Sequence, residues 1–105
     1  MTHDPVPHKC AESIVSVLAS FPAVERAAIF GSRAKGTHKD YSDVDIAVFG
    51  NVTFLDVERL IAELDEQPTM YKFDVVAYQQ LKNIRLKDHI DRVGIPIYSR
   101  SIAET

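Results

Sequence analysis

Two aspartates one residue apart, Asp43 and Asp45, open a β-prone run that reads Asp43-Val44-Asp45-Ile46-Ala47-Val48-Phe49. Side chains alternate along a strand, so these carboxylates point to one side while Val44, Ile46 and Val48 point to the other. Carboxylates gathered this way repel each other unless a cation lies between them. A pair of solvated residues at the start of a strand is the plainer alternative. Asp74 shifts the balance. It interrupts the apolar run Phe73-Asp74-Val75-Val76, read as an interior strand, where a carboxylate must be exposed, paired or bound to metal. A water-facing place on an edge strand is the competing reading. If the two strands are neighbours in suitable register, Asp43, Asp45 and Asp74 converge on one face. Three hard oxygen donors with no His or Cys among them suit Mg²⁺ or Mn²⁺ better than zinc. Two such ions ~3.5–4 Å apart can flank a phosphorus undergoing in-line displacement.

A few residues earlier, Phe30-Gly31-Ser32 follows a short apolar run. Glycine lets the chain turn sharply, and the next amides, with the Ser32 hydroxyl, can face a phosphate. Gly31 and Gly36 have the glycine spacing of the P-loop G-x-x-x-x-G-K-S/T, but Thr37-His38 stand where that motif needs Lys and Ser/Thr. The P-loop reading is therefore rejected. Arg33, Lys35, His38 and Lys39 form a basic cluster that could neutralise a polyphosphate, or could simply be a solvated loop. His3, His8 and His89 show no metal-ligand spacing with one another, and Cys10 reads as a helix-packing residue.

Elements that would position these groups are legible in the periodicity. Ala11, Ile14, Val15 and Leu18 recur at helical spacing, and Phe21-Pro22 closes that helix. Arg26 to Phe30 is a buried strand, Ser32 to Asp40 a turn with at most one helical turn, and Asp43 to Phe49 a second strand. Thr53 is placed as an N-cap for a helix carrying Val57, Leu60, Ile61 and Leu64 on one face, broken by Pro68. Tyr71 to Tyr78 is the third strand. Leu86, Ile90 and Val93 mark a last helix over Leu81 to Val93, Gly94 stops it, and Ile95 to Tyr98 adds a final strand. The fold class is α+β: a small mixed β-sheet, with helices packed mainly on one face and the other face or its rim left for the site.

The chain has 105 residues, 46% of them hydrophobic and 26% charged, which suits one compact domain. Residues 1–7 read as a flexible leader and 8–105 as that domain. No apolar run approaches the ~18 residues of a membrane span. With one cysteine there is no intrachain disulfide, and a reducing cytoplasmic location is expected. The formal net charge of −3 argues against a dedicated nucleic-acid binder, so direct nucleic-acid binding is not expected.

Gly31-Ser32-Arg33-Ala34-Lys35-Gly36 followed by Ser42-Asp43-Val44-Asp45-Ile46 resembles the signature of the polymerase β-like nucleotidyltransferases. The likeness is strongest to their minimal nucleotidyltransferase (MNT) branch. Phe73-Asp74-Val75-Val76 is similar to the strand with the third carboxylate, and Arg92 to Tyr98 resembles the closing stretch of these short proteins. The resemblance implies the polymerase β-like fold, with Asp43, Asp45 and Asp74 as catalytic metal ligands for two Mg²⁺ ions. It implies that Gly31 and Ser32, with Arg33 and Lys35 nearby, bind the nucleotide. The implied reaction moves a nucleoside monophosphate, AMP from ATP, to a hydroxyl. Larger relatives carry an added acceptor-binding domain, so another protein is expected to present the hydroxyl. MNT proteins of this kind resemble antitoxins that work with a helical HEPN-domain ribonuclease. A subunit of an antibiotic-type nucleotidyltransferase and a non-catalytic nucleotide-binding module are the other readings that the residues allow.

Overall fold

The computed structural model describes residues 6–36, 43–69 and 71–100. In chain order the elements are α1 (His8–Ala19), β1 (Arg26–Phe30), the single-turn α2 (Ser32–Lys35), β2 (Val44–Phe49), α3 (Phe54–Asp65), β3 (Phe73–Ala77), a 3-10 turn (Tyr78–Gln80), α4 (Ile84–Val93) and β4 (Ile95–Ser99). The strands form one mixed sheet in the order β3-β2-β1-β4. β1 runs antiparallel to both β2 and β4, whereas β2 and β3 are parallel. The short connection from β1 to β2 permits an antiparallel pair, and α3 supplies the crossover that a parallel pair needs.

Alternation splits the sheet into two faces. Ala27 and Ile29 of β1, Val44, Ile46 and Val48 of β2, and Phe73, Val75 and Ala77 of β3 point into the main core. That core is closed by Cys10, Ile14, Val17 and Leu18 of α1 and by Leu60 and Leu64 of α3. The spacing of both sets places them on one helical stripe. α3 begins where Thr53 predicts: its hydroxyl accepts from the Asp56 amide, and the Asp56 carboxylate accepts from the Thr53 amide, each at 3.1 Å. This reciprocal cap satisfies two amides at the helix start.

Ala28, Phe30, Ala47 and Phe49 face the other way and pack with Ile90, and Leu86 and Val93 lie against the same cluster. The expected free face is thus partly covered by α4, while Asp43 and Asp74 stay exposed. α4 itself begins at Ile84, capped by Asn83, whose side chain accepts from the Leu86 amide at 3.1 Å. Residues 81–83, between the 3-10 turn and α4, are irregular, so the helix is shorter at its start than the apolar pattern suggested. Gly94 ends it with an ordinary negative φ rather than a left-handed one. A Cβ there would collide with the Ile90 carbonyl.

The domain starts earlier than the leader reading allows. Val6 is buried in the main core with Cys10, and Ala11 packs against it. Val6 and Ala11 stand at the positions where a hydrophobic residue before the helix packs on one in its first turn. Residues 1–5 of the expected leader lie outside the described residues. At the other end, Arg100 donates from Nε to the Val24 carbonyl at 3.1 Å and from a terminal nitrogen to the Phe21 carbonyl at 2.9 Å. Its guanidinium thereby ties the end of β4 to the α1–β1 loop. Among the described residues, no helix is long and apolar enough to cross a membrane.

Leu60 is fully buried between α3 and the sheet, whereas Leu55 of the same helix is 62% exposed. Leu60→Ala is expected to lower the unfolding free energy by about 2–5 kcal/mol. Leu55→Ala should change it by less than about 0.5 kcal/mol. Denaturant titration of both variants checks the assignment of the buried face.

Candidate functional site

Antiparallel pairing sets Phe30 opposite Asp45, and parallel pairing sets Asp45 beside Asp74. Neighbouring strands are ~4.8 Å apart, so the two carboxylates leave the sheet side by side on one face. Asp43, two residues before Asp45, belongs to that face by alternation. The register that would gather the three is therefore present.

The burial argument for Asp74 needs correction. β3 is an edge strand, not an interior one, and Asp74 is exposed. Its carboxylate is hydrated at little cost, and no compensation is required on that account. The desolvated member is Asp45, on the interior strand β2. Burial first, and then the negative charges of Asp74 and Asp43, raise the Asp45 carboxyl above the ordinary aspartate value. A cation at this end of the face would relieve both effects.

The glycine turn meets this carboxylate directly. Gly31 has φ +74° and ψ −151°, a region open essentially to glycine alone. The space a Cβ would take is filled: it would collide with Asp45 Oδ2 and come within 3.3 Å of Asp45 Cγ. Gly31 is thus required twice, by its backbone conformation and by the carboxylate lying on its Cα. Ser32 follows at the start of α2, half-buried, and Lys35 is exposed at the end of that turn.

Arg33 is not brought to this group. It is 2% exposed, and its guanidinium lies 4.7 Å from the centroid of the Tyr71 ring. It also lies close enough to Cys10 to offset part of the rise that burial imposes on that thiol. Tyr71 and Cys10 both belong to the main core, on the side of the sheet away from the carboxylates. Its charge is therefore held by the interior, and the basic cluster read from sequence is split. His38 and Lys39, and Ser42 of the signature, lie outside the described residues.

One residue was missed. The Gly31 amide donates to His89 Nε2 at 3.1 Å, and the His89 ring stands edge-on to Phe30 with centroids 6.1 Å apart. The sequence signal was its place in the stripe of α4, between Leu86 and Ile90. Asking only for metal-ligand spacing overlooked it.

The donor chemistry fits a hard divalent ion: carboxylate oxygens on adjacent strands, with the pKa of the Asp45 carboxyl raised by burial and then by its neighbours' charge. Yet among the described residues no three His, Cys, Asp or Glu side chains are drawn together tightly enough to hold one ion. Asp43 and Asp74 both reach toward water, and rotation about their side-chain bonds is what closing around a cation requires.

The family model described as "Polymerase beta, Nucleotidyltransferase" matches residues 12–103. A candidate protein adenylyltransferase of Methanocaldococcus jannaschii is 44% identical over 69 residues, covering 64% of this chain and 72% of that protein. A crystal structure of a toxin–antitoxin with AMP-PNP shares the fold, with a TM-score of 0.73, 21% identity, and coverage of 90% of this chain and 77% of that one. The structure of a tri-AMPylated Shewanella oneidensis HEPN toxin in complex with MNT antitoxin gives 0.67 and 18%, covering 91% and 75%.

Two outcomes are expected from this geometry. Gly31→Ala should destabilise the protein by about 2 kcal/mol or more, since it combines a glycine-only conformation with a collision. The double variant Gly31→Ala/Asp45→Ala should recover only the collision part, a difference that denaturant titration reads. For Asp45 the sign follows from its raised value. The folded protein holds that proton more tightly than the unfolded chain, so the ionised carboxylate lowers stability at neutral pH. The penalty fades as pH falls through the raised folded value toward the unfolded value of about 3.9, and is absent below it. Asp45→Asn should therefore raise the Tm of metal-free protein near pH 7, with the gain shrinking through the acid range. Thermal scans in EDTA check this; an unchanged or lower Tm near pH 7 contradicts it.

Proposed function

Because the chain belongs to the polymerase β nucleotidyltransferase family, we propose that it transfers AMP from ATP to a hydroxyl group on a partner protein. The observation that carries the reading is the register of Asp45 with Asp74, directly beside a glycine turn shaped around the Asp45 carboxylate. In this proposal Asp43, Asp45 and Asp74 hold two divalent ions, Mg²⁺ or Mn²⁺. When bound, such ions supply positive charge for the phosphates and lower the pKa of the attacking hydroxyl. Gly31 gives the phosphates clearance, Ser32 donates to them, and Lys35 adds positive charge at the open end of α2. Arg33, held in the interior, supports the turn from behind.

The acceptor oxygen attacks the α-phosphorus in line, the bond to the β-phosphate oxygen breaks, and pyrophosphate leaves. The hydroxyl proton passes to solvent. What the protein contributes is alignment and fixed charge around the transferring group.

The acceptor we favour is a tyrosine of a HEPN-domain toxin, with this chain as its antitoxin in the cytoplasm. Two of the relatives support that reading: a candidate protein adenylyltransferase, and an MNT antitoxin in complex with an AMPylated HEPN toxin. A non-catalytic module, which neutralises a partner by binding alone, predicts the opposite response to loss of the carboxylates.

Incubation with labelled ATP, Mg²⁺ and the product of the neighbouring gene separates these readings. We expect label on the partner, abolished by EDTA and reduced on the order of 10³-fold by Asp43→Asn or Asp45→Asn. Partner inhibition that persists in both variants supports binding alone. Absence of both label and complex with wild-type protein would falsify the antitoxin assignment.

A further inference from the structure

α4 lays Leu86, Ile90 and Val93 against the carboxylate face of the sheet, and a histidine stands in the same stripe. His89 is half-buried, edge-on to Phe30 with an interplanar angle of 79°. Its Nε2 accepts the Gly31 amide at 3.1 Å across 58 residues of sequence. In a neutral imidazole, an accepting Nε2 leaves the ring proton on Nδ1.

This contact falls on the backbone that most needs support. Gly31 sits in a glycine-only region, and such a residue keeps its conformation only where its surroundings over-determine it. Asp45 Oδ2 occupies one side of its Cα, and the imidazole takes its amide. Phe30, which makes a T-shaped contact with the ring, is also the β1 residue paired with Asp45. His89 thus touches both residues that bring the turn to the carboxylates.

We propose that His89 is the positioning residue of the nucleotide-binding turn. It acts through Gly31, holding the turn at the angle that lays Gly31 against the Asp45 carboxylate. The assignment rests on reading that turn as the phosphate site. With its own N–H committed to the imidazole, Gly31 contributes clearance, and the donors to the phosphates are Ser32 and the amides after it.

The test compares wild type with His89→Leu, which keeps the apolar stripe, and His89→Gln, which restores an acceptor near the position of Nε2. AMP-PNP binding with Mg²⁺ is measured by calorimetry, Gly31 amide exchange by NMR, and Tm by thermal scan. In His89→Leu we expect a Tm within a few degrees of wild type. AMP-PNP should bind about tenfold more weakly and the Gly31 amide exchange about tenfold faster, as loss of one partly buried hydrogen bond implies. His89→Gln should return both within about threefold of wild type. AMP-PNP binding in His89→Leu as tight as wild type, or tighter, overturns the proposal, because the histidine then only packs or competes with phosphate. Should His89→Leu fail to fold, His89→Gln decides: near-wild-type affinity and exchange support positioning, and loss of both overturns it. Wild-type protein that binds no AMP-PNP removes the nucleotide reading itself, an outcome distinct from tight wild-type binding that is indifferent to His89.

Discussion

Asp45 Oδ2 lies where the Cβ of residue 31 would be, and most of the site is arranged around that fact. The turn after β1 can approach β2 this closely only because Gly31 has no side chain and can take a positive φ. Antiparallel pairing of Phe30 with Asp45 fixes the height at which the two meet. Parallel pairing of Asp45 with Asp74 then sets a second carboxylate at the same height on the neighbouring strand. One backbone clearance therefore locates both the turn and the acidic pair.

Burial and charge divide unequally among the three aspartates. Asp45, on an interior strand and against the turn, carries the desolvation, and its neighbours' charges add to it. Asp43 and Asp74 stay in contact with water. One carboxylate is thus held in place by packing while two can adjust, a division suited to closing around a cation that enters from solvent. In the absence of a cation the same arrangement opposes folding at neutral pH. Sites commonly hold groups in surroundings that weaken the fold, because the interactions that relieve them come with the ligand.

The two faces of the sheet have different tasks. α1 and α3 close the main core, and Arg33 with Tyr71 and Cys10 fills the edge of that side beneath α2. α4 covers part of the opposite face, with Ala28 and Ala47 in the cluster it packs on, and leaves Asp43 and Asp74 exposed. His89 stands where the helix meets the turn, so the element that completes the second core also reaches the site.

Sequence by itself determined what is local. Alternation in Val44–Phe49, the cap at Thr53, the positions of all four strands and the likeness of Gly31-Ser32 and Asp43-Val44-Asp45 to a known signature follow from short-range pattern. Each depends on φ/ψ preference or side-chain direction within a few residues. Tertiary structure alone decided the strand order, which makes β3 an edge and leaves Asp74 in water although its sequence neighbours are apolar. It decided that Arg33 turns inward to Tyr71 rather than toward the carboxylates. It also brought His89 to Gly31. These outcomes rest on contacts between residues far apart in the chain, where the energy comes from the partner met in space, and no periodicity in one segment encodes that partner.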